Sequence, residues 1–279
     1  MAAAGGNPEI GATVSAAGLA TNYIEAGSGE PVVLIHGSGP GVTAYANWRL
    51  VVPALGDRFH AVAPDIAGFG YTERRPHARY GMDFWVAHIL GVLDALDIER
   101  AHFIGNSFGG ALTLALAARH SDRVRRMVLM GSCGTVFPLT EGLDAVWGYE
   151  PSAEAMERLI RLFVCDESIV TPDLVRSRLE ASLRPGCQES YSALFPAPRQ
   201  RHIEALATPE DAIRAIPHRT LVVHGRDDRI IPLEASLALH RLIPRSELHV
   251  FGQCGHWTQI EKRDRFVSLV RAFLTEGGD

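Results

Sequence analysis

The chain is 279 residues long, 47% hydrophobic and 21% charged, with a formal net charge of -5; such a chain buries a large core and is neither disordered nor fibrous. The acidic balance and the isolation of the Arg74-Arg75 and Arg125-Arg126 pairs exclude a continuous phosphate-binding stripe, so no nucleic-acid partner is expected. Apolar runs such as 114–118 are far shorter than the roughly 20 residues that cross a bilayer, and the first residues carry no basic or apolar leader, so neither membrane insertion nor export is expected.

Residues 1–7 read as irregular, as do 276–279. An opening hairpin spans about 14–24 and turns near Gly18. Short β-branched runs then alternate with stretches of helical period. The strands are Val32-Val33-Leu34-Ile35, Ala61-Val62-Ala63, His102-Phe103-Ile104, Met127-Val128-Leu129-Met130, Leu221-Val222-Val223 and Leu248-His249-Val250-Phe251; the helices are 84–96, 111–119 and 266–273. This alternation predicts an α/β fold with a mostly parallel sheet flanked by helices on both faces. It breaks over 137–207, where Trp147, Leu159, Ile160, Leu162, Phe163, Leu174, Leu179 and Leu183 fall at helical spacing and Pro151, Pro172, Pro185, Pro196 and Pro198 cut the segment into short pieces. The expected organisation is therefore a core built from 1–136 and 208–279, with 137–207 inserted as a helical lid. Cys133, Cys165, Cys187 and Cys254 are dispersed without metal-ligand spacing, which predicts four reduced thiols, no metal and a cytoplasmic location.

Gly105-Asn106-Ser107-Phe108-Gly109 follows a strand and precedes a helix, the context a nucleophile elbow requires. A serine hydroxyl needs a base held by an acid. His256, in the loop after the last strand, supplies the base, and the Asp227-Asp228 pair after Leu221-Val222-Val223 supplies the acid; spacing leaves open which of the two it is. Of the remaining histidines, His36, His102 and His224 read as structural and His60, His77, His120 and His218 as surface or loop residues. The loop His36-Gly37-Ser38-Gly39-Pro40-Gly41 and the Phe108 amide offer backbone donors for an oxyanion. A phosphate-binding G-x-G-x-x-G loop fails there, because Val42 takes the place of the third glycine, and no Walker A lysine follows.

Together these segments resemble the meta-cleavage product hydrolases, a branch of the α/β-hydrolase fold that breaks a carbon-carbon bond in ring-fission products of aromatic degradation. The most specific stretch runs from His36 to Arg49 and includes Asn47 and Trp48; Asp65-Ile66-Ala67-Gly68-Phe69-Gly70, Gly225-Arg226-Asp227-Asp228-Arg229 and Cys254-Gly255-His256-Trp257 support it. The resemblance implies Ser107, Asp228 and His256 as catalytic triad, Ser38 and Phe108 as oxyanion donors, and Gly37, Gly39, Asn47, Asn106, Arg178 and Trp257 as substrate-binding residues, with Arg176 and Arg184 close enough to compete for the role of Arg178. It further implies a small dienoate substrate, no cofactor, and self-association of the chain. A carboxylesterase or lactonase on the same fold is the alternative. A dehalogenase or epoxide hydrolase would need aspartate at position 107, and a non-catalytic receptor would have no use for an intact triad.

Overall fold

The computed structural model describes residues 6–75 and 80–277; His77 and the terminal residues 1–5 and 278–279 lie outside them. Eight strands form one sheet: β1 Ala12–Ala16, β2 Leu19–Ala26, β3 Glu30–Ile35, β4 Phe59–Pro64, β5 Ala101–Asn106, β6 Val124–Met130, β7 Thr220–Gly225 and β8 Ser246–Phe251. Their order across the sheet is β1-β2-β4-β3-β5-β6-β7-β8. The opening hairpin is antiparallel, with Ala16 opposite Leu19, and Ala17 and Gly18 at its tip both take positive φ (48° and 75°), the handedness a two-residue hairpin needs. β2 also runs antiparallel to β4, whereas every pairing from β4 through β8 is parallel.

β5 and β7 are buried along their whole length, as parallel strands covered on both faces must be. Alternate side chains feed two separate cores: Val33, Ile35, Phe103 and Leu129 pack on one side of the sheet, and Val32, Leu34, Ile104 and Val128 on the other. Helices α1 Ala44–Trp48, α2 Val52–Leu55, α3 Met82–Ala95 and α4 Phe108–Arg119 accompany the first strands. Between β6 and β7 come α5 Glu141–Trp147, α6 Ala153–Phe163, α7 Pro172–Ser182, α8 Cys187–Leu194, α9 Gln200–Leu206 and α10 Glu210–Arg214. Thr140, Ser152 and Thr171 cap α5, α6 and α7 through their side-chain oxygens, and Pro172 opens α7 where a missing amide proton costs nothing. An aromatic ladder joins this inserted bundle to the start of α4: Trp147 stacks on Phe195 at 4.5 Å, and Phe195 meets Phe108 edge-on at 6.2 Å.

α11 Leu233–Leu242, α12 Thr258–Glu261 and α13 Arg263–Thr275 complete the chain. α11 had no counterpart among the expected helices; Pro232 is its N-cap residue. The described residues at both ends carry no helix or strand, yet hydrogen bonds tie them to the body of the protein. Asn7 donates to the Tyr71 hydroxyl at 2.6 Å, and Arg126 donates to the Glu276 carbonyl at 2.6 Å. His218, expected in a loop or at the surface, is buried there and contacts Ser121 at 2.9 Å. Among the described residues no helix is long and apolar enough to cross a membrane.

Candidate active site

Ser107 sits between the end of β5 and the start of α4 with φ 56° and ψ -115°, a conformation that costs a non-glycine residue on the order of 1–3 kcal/mol. Its neighbours make that turn feasible. A Cβ on Gly105 would lie 2.5 Å from the Gly109 carbonyl oxygen, one on Gly109 would collide with the Ile35 carbonyl, and one on Gly110 would collide with the Ser132 hydroxyl. The strain is held from both sides: the Ser107 amide donates to the Met130 carbonyl at 2.9 Å, and the Ser107 carbonyl accepts from the Cys133 amide at 3.1 Å. The thiol of Cys133 is pushed up to about 12, first by burial and then by the charge of Asp228, so it is neutral and no competing nucleophile.

His256 lies in the loop between β8 and α12, its amide anchored on the Phe163 carbonyl at 2.8 Å. Its Nδ1 is 2.7 Å from Asp228 Oδ2, and because an ionised carboxylate only accepts, Nδ1 carries the proton and Nε2 is left as the basic nitrogen. The other oxygen of Asp228 accepts from the amides of Ile230 (2.7 Å) and Ile231 (3.0 Å). Burial alone would raise the Asp228 carboxyl, but His256, the nearby His224 and the Ile230 amide hold it below the ordinary carboxylate range. Asp227 does something else: its carboxylate accepts from the Cys254 amide at 3.1 Å and pins the turn that carries His256. Of the two aspartates, Asp228 is the one that contacts the His256 imidazole.

Gly131, at φ 48°, is what allows imidazole and carboxylate to meet, since a Cβ there would sit 3.1 Å from His256 Nδ1 and 3.2 Å from Asp228 Oδ2. His224, expected to be structural, reaches this pair as well: its Nε2 is 3.6 Å from Asp228 Oδ2 while it contacts the Ile231 carbonyl at 3.1 Å. Ser107 and His256 line the same cavity. Among the described residues the two make no direct hydrogen bond in this conformation.

The cavity is lined by two chemically distinct sets of residues. Gly37, Ser38, Gly39, Asn47, Arg49, Asn106, Arg178 and Gln259 make up the polar set, and the apolar set includes Leu143, Val146, Met156, Leu159, Ile160, Phe163, Ile230 and Trp257. Trp257 stacks on Phe163 at 5.0 Å with the rings nearly parallel. The Ser38 and Phe108 amides carry no acceptor among the described residues, whereas the Gly37 amide is already taken by Asn47 Oδ1 at 3.2 Å. Asn47 Nδ2 is a buried donor with no partner among the described residues, and Asn106 Nδ2 donates to the Met130 carbonyl at 3.3 Å. Ser38 is fixed by the inserted bundle, its hydroxyl accepting from Trp147 Nε1 at 3.0 Å and its carbonyl from the Tyr191 hydroxyl at 3.1 Å.

Of the three competing arginines, only Arg178 lines the cavity. Arg176 is exposed and paired with Asp173 at 2.6 Å, and Arg184 packs 4.2 Å over the Tyr71 ring. Arg49, Gln259 and Glu9 escaped the sequence reading as site residues. Arg49 lies inside the most specific stretch and was legible there as a cation beside Asn47; nothing local marked Glu9, which comes from the segment read as preceding the first strand.

The family model described as alpha/beta hydrolase fold matches residues 30–153 and 177–263. The chain is 59% identical over 270 residues to a 2-hydroxymuconate semialdehyde hydrolase of a Pseudomonas species, covering 97% of this chain and 95% of that protein. It is 56% identical over 268 residues to a 2-hydroxy-6-oxo-2,4-heptadienoate hydrolase of Pseudomonas putida, covering 96% and 97%. Among solved structures, a mutant meta-cleavage product hydrolase of Pseudomonas fluorescens complexed with acetates superposes with a TM-score of 0.96 at 56% identity, covering 98% of this chain and all of the other. With a nucleophile elbow, a carboxylate-held histidine and whole-length identity of this order, the chain belongs to the meta-cleavage product hydrolases of the α/β-hydrolase family.

Proposed function

We propose that this enzyme hydrolyses a carbon-carbon bond in 2-hydroxy-6-oxohexa-2,4-dienoate-type ring-fission products, releasing 2-hydroxypenta-2,4-dienoate and a carboxylic acid, with Ser107, His256 and Asp228 as its triad. The observation that carries this reading is the composition of one cavity wall: two arginines and amide donors together with a large apolar set, and Ser107 and His256 among them. A substrate with a carboxylate and enol at one end and an alkyl or aryl ketone at the other needs both sets. The names of the relatives place such substrates in the same family.

The chemistry runs in two stages. The dienol first becomes a ketone, its hydroxyl proton leaving and a proton arriving at the distal carbon, which places an electron sink next to the bond to be cut. Arg178, Asn47 and Asn106 hold the charged end during this shift. Ser107, or a water it activates, then adds to the remote ketone as His256 Nε2 takes its proton, and the oxyanion is received by the Ser38 and Phe108 amides. The carbon-carbon bond breaks with its electron pair flowing into the sink, and water supplies the oxygen of the acid product. Rotation of the Ser107 hydroxyl toward His256 completes the relay. The inserted segment 137–207 acts as the lid: it supplies Arg178 and most of the apolar set, and it fixes Ser38 through Trp147 and Tyr191.

A carboxylesterase would use the same triad and oxyanion amides, but it has no need of two arginines and a free amide donor among the residues that line its pocket. The test is Ser107→Ala, followed at the dienolate absorbance. Turnover disappears while the band shift that reports substrate binding persists; a variant that keeps the parental rate removes Ser107 from the mechanism.

A further inference from the structure

The proposed dienoate reading leaves one cavity residue without a role. Two arginines, Arg49 and Arg178, line the cavity, and they are not equivalent. Arg178 is clamped: Nη2 donates to the Gly41 carbonyl at 2.6 Å, and Nη1 lies 3.5 Å from Glu9 Oε1. The second oxygen of Glu9 pairs with Arg184 at 2.9 Å, and Arg184 shares the Gly41 carbonyl at 3.3 Å. The side chain of Arg49 makes one hydrogen bond among the described residues, from Nη1 to the Ala46 carbonyl at 2.7 Å, and no carboxylate there pairs with it. Arg178 and Arg184 therefore share the single carboxylate of Glu9, and Arg49 has none among the described residues. Burial lowers the basicity of Arg178; Glu9 opposes this, and the charges of Arg184 and Arg49 add to it, so Arg49 acts within the same local field.

We propose that Arg49 is a substrate-binding cation, contacting the carboxylate and 2-oxygen pole of the dienoate alongside Arg178, which Glu9 and Gly41 hold in place. The arrangement follows from α1. Thr43 caps that short helix, and the helix sends both Asn47 and Arg49 to the cavity wall directly behind the oxyanion loop. Asn47 Oδ1 fixes the Gly37 amide, its unpartnered Nδ2 remains free to donate, and Arg49 retains Nε and Nη2 for a ligand. An anion placed there would compensate the charge of Arg49, which Glu9, paired with Arg178 and Arg184, does not reach with an ion pair. Arg178 fixes direction because its guanidinium is immobilised; Arg49 provides the charge that the fold has left uncompensated.

The experiment compares the parent with Arg49→Gln, Arg49→Lys and Arg178→Gln, each checked for parental far-UV circular dichroism. Steady-state rates are measured with 2-hydroxy-6-oxohepta-2,4-dienoate, and 2-hydroxypenta-2,4-dienoate serves as competitive inhibitor. Loss of one charge-assisted contact predicts that Arg49→Gln raises both KM and the inhibition constant about tenfold or more, with a smaller effect on kcat. Arg49→Lys restores part of the loss, because charge is kept while the planar fork is not. Values for Arg49→Gln within about twofold of the parent would overturn the assignment, as would a KM defect that Arg49→Lys leaves untouched. If the parent itself does not turn over the dienoate, the underlying reading fails instead; a parent that does, with an indifferent Arg49→Gln, removes Arg49 alone.

Discussion

Asp228→Asn probes the dyad at the point where its geometry is most constrained. Asp228 Oδ2 accepts from His256 Nδ1 at 2.7 Å, and Oδ1 accepts from two backbone amides at 2.7 and 3.0 Å. The side chain is 1% exposed, so water cannot relieve a mismatch. An asparagine has one acceptor and one donor for these three donors. If its amide group faces the backbone, two N–H groups are opposed at a cost of about 1–3 kcal/mol for the buried unsatisfied groups. If it faces His256, the imidazole moves its proton to Nε2, and the base that should accept from Ser107 becomes a donor. The second arrangement costs less, which is why rate falls more than stability. By analogy with the same change in serine proteases, kcat for the dienoate should drop about 10³–10⁴-fold. Stopped-flow loss of the dienolate band measures it, with thermal unfolding as control. A kcat within about tenfold of the parent would refute the claim that Asp228 sets the tautomer of His256.

Other perturbations follow from single contacts. Gly131→Ala puts a Cβ against His256 Nδ1 and Asp228 Oδ2 at a positive φ, so kcat should fall at least about tenfold, while about 1 kcal/mol of backbone strain lowers Tm by only about 2–4 °C. Parental kcat would show that the dyad tolerates displacement. His88 is buried, with its Nε2 2.8 Å from the Thr21 hydroxyl oxygen and its Nδ1 unpartnered among the described residues; burial lowers its pKa from 6.5 to about 4. The unfolded chain therefore takes up this proton before the folded one. Stability is full above about pH 6.5 and declines toward pH 4, by up to about 3 kcal/mol from this residue. The directions at His36 and His224 are the same. Urea midpoints measured across that window should fall less steeply for His88→Gln, and equal slopes would contradict the assignment.

Much of this was readable in the chain because parallel strands buried on both faces are written as continuous apolar runs, and because the elbow needs glycine on both sides of its serine. Strand β5, the turn at Ser107 and the loop of His256 stand where local pattern put them. Helix α11 was missed because Pro232 reads equally as a turn and as a helix start. The choice between Asp227 and Asp228 depends on which carboxylate meets an imidazole 28 residues away, a tertiary fact that spacing does not carry. Arg178, Arg176 and Arg184 share one stretch of sequence, and only their placement in the fold separates them, since Arg178 alone of the three lines the cavity. The proximity of His224 to Asp228 is of the same kind.

The most direct measurement is product analysis of the purified parent enzyme incubated with 2-hydroxy-6-oxohepta-2,4-dienoate. Formation of 2-hydroxypenta-2,4-dienoate and acetate in equal amounts, matched to the loss of the dienolate band, is the result the cavity predicts. An enzyme that leaves this compound intact while hydrolysing simple aryl esters would contradict it.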